Sequence, residues 1–183
     1  NPVGVDAHLN TYRRDVLAAD LNHDNFPDLA VTNYDSSDVS ILLNRGDGTF
    51  ETQRRFDATA APIGLTAGDV NGDDNPDLVV TGGLYNGSQR DLWVMLGRGD
   101  GTFDTPTTLA TGGRPRAVAI ADFTGDTKPD ILTVNTDDIT LGNSYSLLAG
   151  MGNGSFAGHV DTKLNFYPED VAAGDLDGDG KPD

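Results

Sequence analysis

Short apolar runs punctuated by glycine, proline and aspartate recur along the whole chain, the pattern of strands joined by tight turns. In the stretch from residue 50 to 102, Ile63–Gly68 predicts a first strand and Leu78–Thr81 a second. Asp91–Leu96 predicts a third, and the Gly-Asp-Gly triplet at 99–101 then turns the chain into a fourth at Thr102–Thr107. Glycine suits that turn because positive φ costs it little. Val118–Ala121 and Val171–Gly174 predict further first strands, and their small side chains suit a crowded central position.

The pattern is periodic. Leu42-Leu-Asn-Arg-Gly-Asp-Gly-Thr-Phe50 returns at Met95–Phe103 and, loosely, at Leu147–Phe156. Pro62, Pro115 and Pro168 keep the same step, with Arg13 at the corresponding first place. The repeat units read 1–49, 50–102, 103–155 and an incomplete 156–183. Four antiparallel strands every ~50 residues are the signature of a propeller blade. The fold class expected is all-β, a partial β-propeller of about three and a half blades, with the chain beginning at Asn1 on an outermost strand.

Between the first and second strands of each unit stands one nine-residue pattern, Asp-x-(Asn/Thr/Asp)-x-Asp-x-x-Pro-Asp, whose first aspartates are Asp20, Asp69, Asp122 and Asp175. So many carboxylates in one loop repel each other, and a hard divalent cation removes that repulsion; calcium takes 6–8 oxygen ligands. Alternate residues 1, 3, 5 and 9 are the candidate side-chain ligands, and residue 7 offers its carbonyl. They are Asp20, Asn22, Asp24, Phe26 and Asp28 in the first loop, and Asp69, Asn71, Asp73, Asn75 and Asp77 in the second. The third has Asp122, Thr124, Asp126, Lys128 and Asp130, and the fourth Asp175, Asp177, Asp179, Lys181 and Asp183. Proline at position 8 biases residue 7 toward an extended conformation. An EF-hand shares the opening but needs a bidentate acid at position 12 and flanking helices. Val31, Val80 and Thr133 stand there instead, and Leu29-Ala-Val, Leu78-Val-Val and Ile131-Leu-Thr-Val read as strands. Three to four structural Ca2+ ions are expected.

Composition narrows the function classes. The net charge of −17 argues against nucleic acid or an anionic membrane as partner. The four loops hold 14 of the 29 acids, so four calcium ions would bring the charge to −9. With no cysteine there is no disulfide framework, thiol nucleophile or zinc-thiolate site. No apolar run approaches the ~20 residues of a membrane span. No charged-then-apolar leader opens the sequence, so a signal peptide would lie outside it.

Repeats reading Pro-x-x-(Val/Leu)-x-x-(Gly/Ala)-Asp-x-Asn-Gly-Asp-x-x-Pro-Asp-Leu and closing on Leu-Gly-x-Gly-Asp-Gly-Thr-Phe resemble FG-GAP or VCBS repeats. That class builds the integrin alpha-subunit propeller, some fungal and bacterial lectins, and many large secreted bacterial proteins. The resemblance covers essentially the whole chain and departs at Arg13, at Asn22-His23-Asp24 and at Thr124. It implies calcium in the loop joining the first two strands of each blade, with Thr124 making the third site the weakest. It also implies an extracellular or cell-surface binding or adhesion module for a protein or glycan, completed by further blades of the same chain or of a partner. A sugar-binding lectin, an accessory propeller of a polysaccharide-active enzyme and a structural filament subunit remain alternatives.

The remaining candidates do not point to catalysis. His8, His23 and His159 occupy no common repeat position, so no enzyme is expected. Trp93 reads as packing between blades. Tyr34, Tyr85 and Tyr145 fall in the stretch of variable length after the second strand, where exposed loops often bind. Asn86-Gly-Ser88 and Asn153-Gly-Ser155 match the N-glycosylation acceptor pattern, but Asn153 has a sufficient role in its turn.

Overall fold

The computed structural model describes residues 15–58, 61–83, 90–136 and 142–183. Its twelve strands form three antiparallel four-stranded sheets, with no helix among the described residues. Each sheet takes four consecutive strands in chain order. The first holds β1 (Val16–Ala19), β2 (Asp28–Asn33), β3 (Asp38–Leu42) and β4 (Arg54–Asp57). The second holds β5 (Pro62–Gly68), β6 (Asp77–Gly82), β7 (Asp91–Met95) and β8 (Thr107–Ala110). The third holds β9 (Arg114–Ala121), β10 (Asp130–Thr136), β11 (Ser144–Leu148) and β12 (Val160–Lys163).

The sheets stack as blades, and the cores lie between them. Ala30, Val39 and Ile41 of the first sheet pack with Leu65, Leu78, Val80 and Met95 of the second. Val79, Leu92 and Val94 on the opposite face of the second sheet pack with Val118, Ile131 and Leu148 of the third. Strand alternation explains this: neighbouring residues of β6 serve different cores because successive side chains point to opposite faces. Phe103 meets Phe56 across the first interface, edge to face, with ring centroids 5.4 Å apart. At the hub β5 lies against both β1 and β9. Gly64 permits the second approach, because a Cβ there would sit 2.6 Å from the Arg116 carbonyl oxygen.

Three expectations need correction. The fourth strand starts at Thr107, not Thr102. Gly97 faces Phe103 in an isolated bridge while Val94 faces Thr107, so one extra residue enters on the outer side. Such a bulge breaks the ladder, and Pro106, which has no N–H, cannot donate to it. The same one-residue slip follows Phe50 and Phe156. Tyr145 lies on β11 rather than in a loop, paired with Val134 and Thr162. Finally, Val171–Gly174 forms no strand, because among the described residues no second strand pairs with it. Residues His8, Arg13, Tyr85 and Asn86, and the proposed outermost strand at Asn1, lie outside the described residues.

Candidate metal-binding loops

Each of the first three Asp-rich loops joins the first two strands of a sheet, and its ninth residue opens the second strand. Asp28, Asp77 and Asp130 pair with Ala19, Gly68 and Ala121. In the fourth copy the Asp183 N–H reaches the Gly174 carbonyl at 2.8 Å, the same first rung. Positions 4 and 6 are left-handed in all four loops. Position 4 is His23, Gly72, Gly125 or Gly178, and position 6 is Asn25, Asp74, Thr127 or Gly180.

These two reversals wrap the backbone around the carboxylate at position 1. Asp20 accepts N–H groups from Asp24 at 3.1 Å and Asn25 at 2.8 Å. Asp69 accepts from Gly72 at 2.7 Å and Asp74 at 2.9 Å, and Asp122 from Gly125 and Thr127, both at 2.7 Å. Asp175 does the same with Gly178 at 2.7 Å and Gly180 at 2.9 Å. At position 3, Asn22, Asn71 and Asp177 accept the N–H of Asp24, Asp73 and Asp179. At position 5, Asp24, Asp73, Asp126 and Asp179 accept the N–H of Phe26, Asn75, Lys128 and Lys181.

The ninth residue is different in kind. Asp28, Asp77 and Asp130 are fully buried, and each oxygen has a backbone donor. Asp77 accepts from Val70 at 2.9 Å and Gly97 at 2.7 Å; Asp28 accepts from Leu21 at 2.9 Å and Asn44 at 2.7 Å. Asp130 accepts from Gly150 at 2.8 Å and, one residue out of step, from Thr124 at 2.8 Å. The carboxylate thus ties its loop to the end of the third strand. A carboxylate has about four lone-pair sites, so two remain for a cation.

Asp175, Asp177 and Asp183 each bring a carboxylate oxygen within 4.8 Å of the others. They are the one such acidic group among the described residues. In the first three loops Asn or Thr replaces the acid at position 3, and the position-5 acids hold other partners. Asn22 and Asn71 donate side-chain N–H to Asp24 and Asp73 at 2.9 and 3.0 Å. Lys128 donates its ammonium to Asp126 at 2.8 Å. The donors in all four loops are hard oxygens, the set that calcium or magnesium takes rather than zinc.

The electrostatics follow the burial. Desolvation pushes the Asp28 and Asp77 carboxyls up, and the neighbouring loop acids at positions 5 and 1 add to it. Burial also works against Asp20, but the N–H groups of Asn25, Asn22, Asp24 and His23 outweigh it and hold that carboxyl low. The N–H of Asn75 is the main influence holding Asp73 down, and the Lys128 side chain is the main one for Asp126.

A family model described as an FG-GAP-like repeat matches residues 12–80 and 83–133. The chain belongs to the FG-GAP-like repeat family. Its three described sheets are blades of a partial β-propeller. The fourth loop lies beyond the matched segments, yet this FG-GAP-like chain repeats the same bonds there. No curated protein matches the chain. A chain of a mutant Tc holotoxin pore from Photorhabdus luminescens is similar in structure at 22% identity and a TM-score of 0.45. The match covers 81% of this chain and 7% of that one.

Other singled-out residues fall into place. Trp93 is buried. His23 is exposed, and its ring Nε2 lies 3.0 Å from Asn75 Oδ1 of the next loop. Asn153 accepts the Ser155 N–H at 3.1 Å, as Asp47 and Asp100 do for Thr49 and Thr102. Sequence reasoning missed the buried residue at position 2 and the fit of each loop on the hairpin turn of its own blade. Phe26 and Asn75 cover Gly46 and Gly99, where a Cβ would collide with them, and Lys128 lies over Gly152, where a Cβ would be tight. The recurring first glycine of the turn was the available signal for the second of these, since a side chain there would meet the loop.

Proposed function

We propose that this FG-GAP-like chain is a non-enzymatic, calcium-stabilised binding or adhesion module that works outside the cell on a protein or glycan ligand. The observation that carries the metal part is the fourfold cage itself: a carboxylate at position 1 wrapped by left-handed turns, with further oxygen donors at 3, 5 and 9. Calcium would be held by Asp20, Asn22, Asp24 and Asp28 and their counterparts, and would supply charge neutralisation rather than chemistry. A cavity of about 510 Å3 at the hub, lined by Asp15, Gly64, Arg116, Glu169 and Asp170 among others, offers room for a polar ligand group. Arg116 there stacks on Tyr167 and donates to its hydroxyl at 2.7 Å.

Further blades, of this chain or a partner's, complete the ring. Ala30, Val39 and Ile41 are covered by the second blade, and Val79, Leu92 and Val94 by the third. Leu132, Tyr145 and Leu147 repeat these positions on the third blade and are only half-buried, beside an exposed Val160. The test of the metal reading is thermal unfolding. Chelation with EDTA lowers Tm, calcium restores it and magnesium does so poorly, because its small octahedral shell does not fit a flexible oxygen loop. One site at ten times its Kd contributes about 1.4 kcal/mol. An unchanged curve in EDTA removes calcium from the proposal. Glycan-array and protein-capture experiments then separate the two ligand classes.

A further inference from the structure

We propose that the glycine-rich hairpin turn of a blade, Gly-Asp-Gly at 99–101 and Gly-Asn-Gly at 152–154, positions the metal loop of the blade before it, so that cation affinity in a loop and docking of the following blade are coupled. This rests on the calcium reading above and adds a residue-level joint. The joint is the apolar residue at position 2. Leu21 donates its N–H to the ligand Asp28 at 2.9 Å, and its carbonyl accepts the N–H of Gly101 from the second blade at 3.0 Å. Val70 repeats this one blade on: its N–H reaches Asp77 at 2.9 Å and its carbonyl accepts from Gly154 of the third blade at 3.2 Å. Both residues are buried. One peptide group on each side therefore links a ligand carboxylate to the neighbouring blade.

The turn also touches the ligands directly. A Cβ on Gly154 would lie 3.3 Å from Cβ of Asn71, the position-3 residue of the second loop. His23 of the first loop contacts Asn75 of the second, and both crowd Gly99. Loops with no turn docked on them among the described residues depart from this arrangement. In the third, Thr124 rather than Phe123 donates to Asp130, and the Phe123 N–H turns back to Ala121. In the fourth, Leu176 keeps its bond to Asp183, but its side chain is 86% exposed. In the fourth loop the N–H half of the joint thus forms alone; burial of the side chain and use of the carbonyl come with the next blade.

Coupling of this kind is reciprocal. Gly154→Ala is the variant of choice, because its φ of +77° disfavours a side chain while the nearest contacts are only mildly tight. Calorimetric calcium titration of this variant is expected to show one site weakened about tenfold, within the usual range of coupling. In an Asp69→Ala background, which removes the second loop's first ligand, Gly154→Ala should change nothing further, as a double-mutant cycle requires. Amide hydrogen exchange on the unaltered chain gives the reverse reading: calcium should slow exchange at Gly101 and Gly154 and leave Gly48 unchanged, whose turn meets no preceding loop among the described residues. Unaltered calcium affinity in Gly154→Ala, an equal loss in the Asp69→Ala background, or no change in exchange at Gly101 and Gly154 overturns the coupling while leaving the calcium reading intact. Absence of any calcium heat in the unaltered chain overturns both.

Discussion

Thr127 is the most strained residue in the repeated loops. It holds φ +69° at position 6, where the other copies place Asn25, Asp74 and Gly180. Asparagine, aspartate and glycine tolerate this region, whereas a β-branched side chain does not. Thr127→Asn is therefore expected to stabilise the chain by about 0.5–1 kcal/mol, read as a higher urea midpoint with unchanged slope. A lower midpoint would mean that the Thr127 side chain contributes something the backbone strain hides. Asp77 makes the opposite case. It is buried with a backbone N–H on each oxygen, so Asp77→Asn turns a donor toward a donor on one side. The expected cost is about 2 kcal/mol and persists in EDTA, since it comes from lost backbone partners rather than from lost metal. A cost that vanishes on chelation would assign Asp77 to the cation alone.

At the scale of the element, the innermost strands decide how closely blades meet. The Gly64 position on β5 brings the chain against the backbone of β9, and Thr81 on β6 adds a hydroxyl bond to the same Arg116 carbonyl at 3.0 Å. Gly64→Ala would place its methyl carbon 2.6 Å from that oxygen. Backbone must move to relieve this, which in a packed interior costs about 1–3 kcal/mol. The loss should appear as a drop of Tm, with increased exchange at β5 and β9 before β2 and β3. Uniform exchange across all three sheets would show instead that the blades unfold as one unit. The outer strands are held more loosely: β4, β8 and β12 have four residues each, and a register slip precedes each of them.

For the whole molecule, the arc presents repeated apolar faces with a repeated partner. The first two blades each bury such a face under the next, and the third leaves Leu132, Tyr145 and Leu147 half-covered. Exposed sheet faces and strand edges drive association. Residues 1–183 by themselves are expected to self-associate in sedimentation velocity as concentration rises. A monomeric species that unfolds in one cooperative step would show the arc to be complete without further blades. Salt should favour this association, because it screens the repulsion between copies of net charge −17 without weakening an apolar contact.

Local chemistry was legible in the residues themselves. The order of four strands per unit rests on ladders between strands adjacent in the chain. The wrapping of the Asp-rich loops and the Gly-Asp-Gly turns rests on bonds spanning two to five residues, such as Asp69 to Gly72 and Asp74. A nine-residue string carries that information because the partners are in it. What needed the tertiary structure involves partners far apart in the chain. Whether Leu21 is a buried joint or an exposed side chain like Leu176 depends on a turn some eighty residues downstream. The failure of Val171–Gly174 to form a strand follows from the lack of a ladder partner among the described residues. Periodicity told which positions are equivalent. Burial at those positions was decided by which blade lies next to which, and that contact is set by packing between sheets rather than by any local pattern.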